Sequence, residues 1–177
     1  MTKYHSLKNK TIGGIGKISS YDIEFTFNGK KPQTFRLVFF PLTDDVVGAE
    51  RIAEVYDVNP KILFAVSIIF FDQAYELIPT DELNGRTPFD KIDKAVHYNR
   101  NENNYFFNVL ISYILDYIEE SKVHYLYFSG YSDSHKRTYE RLLQKVQSRL
   151  ILEYEDLGGG DYVVKTCYSN QEEGNSG

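Results

Sequence analysis

Few residues of this chain have chemistry to offer. Thr11 to Lys17 reads TIGGIGK, and clustered glycines leave backbone amides free to cradle a phosphate. The spacing fails a phosphate loop, because Thr11 stands where the first glycine belongs and Ile18 where a hydroxyl should follow the lysine. Ser19 likewise occupies the third glycine position of a dinucleotide fingerprint. The segment is expected to be a flexible turn or bulge leading into a strand. Arg137, Arg141, Lys145 and Arg149 recur every four residues with Lys136 beside them. On a helix they form one cationic stripe, able to meet a phosphate, a nucleic acid or an acidic partner. Glu140 and neighbouring acids, in a chain of net charge −5, favour a solvated face. His5, His97, His124 and His135 show no ligand spacing, so no metal site is expected. His135, near a helix start, has a position from which to act as acid or base, but a surface histidine is the simpler reading. Cys167 is expected on the last strand as a buried, inert thiol. Asp44 with Asp45, and Asp81 with Glu82, are chain neighbours, so their spacing is no evidence of an acid/base pair.

These residues hang on a fold organised around 104–150. Asn103 or Asn104 offers an N-cap, and Phe106, Leu110, Tyr113, Ile114, Tyr117 and Ile118 then follow one helical face. Val123 to Phe128 is dense in aromatic and β-branched residues with apolar character on both faces, as a covered interior strand requires. Ser132, Asp133 or Ser134 caps a second helix, which buries Tyr139, Leu142, Leu143, Val146 and Leu150. Ile151–Glu155 and Tyr162–Cys167 form a hairpin across three glycines. Ahead of this unit, residues 1–10 are expected to be frayed. Tyr21 to Phe27 alternates as a half-buried strand, Asn28-Gly29 favours a tight turn, and Thr34 to Phe40 returns. Asp44 to Tyr56 is loosely helical. Lys61 to Phe71 is the most apolar strand, and Tyr75 to Ile78 either continues it or pairs back. Thr87-Pro88 starts a short helix to about Tyr98. Asn99–Asn104 is a polar loop.

Composition bounds the whole. The 177 residues suit one domain, taken as 1–168, with a hairpin at 20–40, a core at 61–168 and a disordered tail at 169–177. The negative charge recruits neither nucleic acid nor anionic lipid globally. One cysteine fits a reducing compartment, and the longest apolar run, Ile62 to Phe71, is about half of what a bilayer needs. A soluble, cytoplasmic protein is expected, with no membrane partner. Sequence leaves a homo-oligomer open.

The order strand, helix, strand, helix, strand, strand across Lys61 to Cys167 resembles the second half of the GNAT family of N-acetyltransferases. The resemblance implies an α/β (α+β) fold, with a single mixed, mostly antiparallel central sheet and helices on both faces. Ser132 to Tyr139, SDSHKRTY, is similar to the family segment that ends in a tyrosine on the helix after the fifth strand. That tyrosine protonates the departing coenzyme A thiolate, so the resemblance implies Tyr139 as general acid, a role suited to a phenol with its pKa near 10. It also implies that the amides of Asn103, Asn104 and Tyr105 would hold the pyrophosphate of acetyl-CoA at a helix N-terminus. The chain departs from the family at that loop, which lacks any glycine from Asn99 to Asn104. Leu143 and Gln144 replace the usual Gly-Phe. The chain also looks like small GNAT-like proteins of phages and bacterial accessory gene sets. The expected function is therefore that of a GNAT-like accessory protein without a cofactor, which binds a protein or an anionic ligand through Arg137, Arg141, Lys145 and Arg149. Acetyl-CoA-dependent transfer and nucleic-acid binding are the alternatives.

Overall fold

The computed structural model describes residues 2–14, 16–43, 47–59, 64–85, 97–129, 136–137, 139–140, 143–144 and 150–171. Over these the chain is α/β, with a mixed sheet of seven strands. The strands are β1 (Lys3–Thr11), β2 (Ser19–Phe27), β3 (Gln33–Pro41), β4 (Ala65–Asp72), β5 (Tyr125–Ser129), β6 (Ile151–Gly158) and β7 (Asp161–Thr166), and two longer helices are α1 (Val47–Tyr56) and α2 (Arg100–Ser121). Spatial order is β1-β2-β3-β4-β5-β7-β6. Every neighbouring pair is antiparallel except β4 and β5.

The alternation that marks β2 in the sequence is what buries it. Tyr21, Ile23, Phe25 and Phe27 are all inside, and they meet α2. Phe39 of β3 stacks on Tyr117 of α2 with ring centroids 3.7 Å apart, and Phe25 and Phe35 each lie 4.7 Å from Phe106. A fully buried side chain of this kind contributes about 1.5–3 kcal/mol through area alone. The hairpin between β2 and β3 turns at Asn28-Gly29, with positive φ at Gly29 and the Lys30 N–H donating to Phe27 O at 3.0 Å.

Along the central strands two buried clusters interleave. Val66, Leu126, Tyr162 and Val164 belong with α2, whereas Ala65, Tyr125 and Val163 belong with Ile52 of α1. Successive strand residues point to opposite faces of a sheet. A β-carbon on Gly48 would sit 3.2 Å from Leu42 and 3.3 Å from Tyr127, so a larger residue would have to push these side chains back by a few tenths of an ångström for α1 to keep its approach to β5.

Several sequence expectations need correction. Residues 3–10, expected to be frayed, belong to β1, a sheet edge anchored by its ladder to β2 and by the Lys10–Glu120 ion pair at 2.8 Å. Its polar composition reflects a strand with one neighbour. The segment after β4 neither extends it nor pairs back. Asp72 instead accepts from the Ala74 N–H and caps a 3-10 turn, Gln73–Leu77. Asn99–Asn104 is not a loop, since α2 begins at Arg100. Cys167 lies just past β7, half-buried at the start of the 3-10 turn Cys167–Gln171, which takes in the first residues of the expected tail. The glycine-rich stretch after β1 is a turn as expected, with positive φ at Gly14 and Gly16. The expected helix at 87–98 lies outside the described residues up to 96. No helix among the described residues is long and apolar enough to cross a membrane.

Candidate functional site

Two places around α2 have the makings of a site, its N-terminus and the flank that faces Tyr139. At the N-terminus, Asn99 accepts from the Glu102 N–H at 3.0 Å, and Glu102 Oε2 accepts from the Asn99 N–H at 2.7 Å. This reciprocal pair is a capping box, which satisfies two of the amides that a helix start leaves unpaired. The Glu102 side chain is only 1% exposed and also accepts from Lys30 Nζ. The Lys30 ammonium donates in addition to His97 O at 2.7 Å and stands over the Tyr98 ring. The Lys30 hydrogen bond holds the Glu102 carboxyl below its ordinary pKa, against the upward push of burial, and the Asn99 N–H adds to the lowering. Burial, with Asp72 and Glu102 nearby, raises the Tyr98 phenol.

This geometry relocates the residues implied for a coenzyme. The Asn103 N–H donates to Asn99 O at 2.9 Å, inside the helix, and its side chain donates to Tyr98 O at 3.1 Å. Asn104 is exposed, one residue further along the helix. Tyr105 pairs its hydroxyl with His5 Nδ1 at 2.7 Å. The three sit past the helix start instead of forming it, and the negative charge that the positive end of a helix favours is supplied by Glu102. The sequence carried a signal for this in the Asn-x-x-Glu spacing of Asn99 and Glu102, a capping-box pattern. Nothing in the sequence pointed to Lys30 as the partner of Glu102.

The second place lies where the two parallel strands part. β4 pairs with β5 only at Ala65↔Tyr125, Val66↔Leu126 and Ser67↔Tyr127, while on its other side it pairs with β3 from Val66 to Asp72. Past Ser67, Ile68 and Phe70 of β4 line an apolar cavity of about 50 Å³, together with Phe128 of β5, Phe107 and Leu110 of α2, and Tyr139. The Tyr139 ring lies 4.9 Å from Phe128 and 6.5 Å from Phe70. Lys136, Arg137, Tyr139, Glu140, Leu143 and Gln144 are helical. Glu140 accepts from the Tyr162 hydroxyl at 3.2 Å, which ties these residues to β7.

Of the sequence-derived site residues, Tyr139 is thus brought against the cavity. Asn103, Asn104 and Tyr105 do not line it. Arg137 is exposed, and Arg141, Lys145 and Arg149 lie outside the described residues. Among the described residues no group of three His, Cys, Asp or Glu side chains is placed to hold a metal ion. The cavity itself had no sequence signal, because it depends on β4, β5 and α2 converging from distant parts of the chain. Compared with family models, with curated proteins and with solved structures, the chain finds no match in any of the three.

Proposed function

We propose that this chain is a GNAT-like domain with helices on both faces of its sheet, which acts in the cytoplasm as a phage-type or accessory binding protein and not as an acetyltransferase. The chain order from β4 to β7, strand, helix, strand, helical residues, strand, strand, supports the family likeness. So does the parting of β4 from β5 beyond Ser67. The observation that carries the loss of transfer is Glu102. A coenzyme pyrophosphate needs the amides and positive end of a helix start, and here a buried carboxylate already occupies that end, with Lys30 and the Asn99 N–H committed to it. An incoming phosphate meets a like charge and finds the Asn99 and Glu102 amides and the Lys30 ammonium already engaged. The partner is a protein or an anionic ligand that meets the cationic side of the Tyr139 segment, where Arg137 is exposed. Isothermal titration with acetyl-CoA tests this reading. The expected result is no saturable heat, and tight binding with turnover would overturn it.

One observation favours a second reading, an acetyltransferase with an atypical pyrophosphate site. Tyr139 lines the cavity at the strand opening, where a phenol could return a proton to a departing thiolate. Replacing Tyr139 with Phe should then cut turnover steeply with little change in melting temperature. Unchanged turnover rejects the assignment.

A further inference from the structure

We propose that the cavity between α2 and Tyr139 receives the end of an aliphatic chain, such as that of a fatty acid or a long-chain alcohol. The inference stands apart from the reading above, since it needs neither a coenzyme nor the cationic stripe.

The chemistry of the walls sets the ligand class. Among the described residues every lining side chain is hydrocarbon except Tyr139. A charged or hydrogen-bonding group placed there would lose its water without replacement, which is costly, whereas a methylene loses nothing. The size sets the shape. At about 50 Å³ the space is far smaller than the roughly 150 Å³ of a dry cavity that admits benzene. A ring does not fit, but the terminal carbons of a narrow, unbranched chain do. The surroundings set the direction of entry. Leu110 and Leu143 are buried at the cavity, while Phe107, Ile111 and Leu115 are half-buried along the same flank of α2, so the wall continues toward solvent as an apolar track. The inner carbons fill the cavity, the following carbons lie along that track, and the polar head stays outside. Affinity should rise about fourfold for each methylene that enters, the equivalent of about 0.8 kcal/mol per buried CH₂.

The test is methyl-detected NMR of the full chain, titrated separately with 1-hexanol, hexanoate and benzene. Saturable shifts at Ile111, Leu115 and Leu143 with hexanol are expected, whether or not hexanoate matches it, and benzene should be at least tenfold weaker. A matching hexanoate places the head group in solvent, and a weaker one assigns the site to neutral chains. Two filling variants, Leu143→Phe at the buried wall and Ile111→Phe at the half-buried track, should each weaken hexanol at least tenfold. Their amide spectra and melting temperatures report whether the fold is kept, and a variant that has unfolded is replaced by the other. The proposal is overturned by an absence of saturable shifts up to the solubility limit, by benzene binding as tightly as hexanol, by binding of hexanoate alone, or by unchanged hexanol affinity in a folded variant.

Discussion

The sheet has two unlike halves. From β1 to β4 the strands run antiparallel in long registers, such as Ser19↔Phe39 to Phe25↔Gln33 between β2 and β3, and their aromatic faces are packed against α2. From β5 to β6 a second antiparallel group stands beside them, and the two groups are joined by three residue pairs of parallel strand. The ladders are long where the chain needs only to hold its shape. They are short where the cavity lies, and local stability follows the density of such contacts. The same helix serves both regimes, with a closed polar end at Glu102 and an apolar flank at Leu110.

The largest test of this contrast is Phe39→Ala. It empties a ring stacked on Tyr117 in the densely packed half and should cost about 3–5 kcal/mol in urea unfolding. Thr166→Val probes the other half. Thr166 is fully buried, donates its hydroxyl to Val123 O and gives its N–H to His124 O at 3.0 Å, so losing the hydroxyl leaves a buried carbonyl unpaired. A loss of about 1–3 kcal/mol is expected. Hydrogen exchange sharpens the comparison further, because the Tyr127 amide at the strand joint should open at lower free energy than the Ile23 amide in β2. Equal protection at the two sites would contradict the division. Acid acts on the first half more weakly. The Lys30 hydrogen bond lowers the Glu102 carboxyl, and the Arg36 hydrogen bond lowers that of Asp22. Groups lowered in this way contribute stability that is complete above their unfolded values, near 4.5 for the glutamate, and lost as pH falls through the lowered folded values. The melting temperature should therefore drop below about pH 4.5, and in Glu102→Gln part of that drop should vanish. The smallest effect belongs to Lys10→Ala. Its ion pair with Glu120 is exposed, with side chains 33% and 49% accessible, and its removal should cost well under about 1 kcal/mol.

The hairpin of β2 and β3 was legible because both of its signals are local, strict alternation and an Asn-Gly turn. β5 was legible from its dense aromatic and β-branched run, apolar on both faces, and the β6–β7 hairpin from the glycines of its turn, which are local signals too. β1 was not, because an edge strand buries little, and Tyr4 and Leu7, both exposed, are too few apolar residues to show a period. The start of α2 was misplaced because a run of asparagines resembles a loop, although Asn99 and Glu102 held the cap. Tyr139 was singled out through the GNAT resemblance. The cavity beside it was invisible, since Ile68, Leu110 and Phe128 become neighbours only through tertiary packing.

The three-pair joint also bears on the order in which the chain assembles. Each antiparallel ladder links strands that are neighbours, or nearly so, along the chain, and forms at a modest entropic cost of closure. Ala65 and Tyr125 are separated by the whole of α2 and the segment before it, so their pairing must wait for the longest closure in the sheet. The β4–β5 joint should then form last during folding, and a chain with a weakened joint should still complete its first four strands at the normal rate.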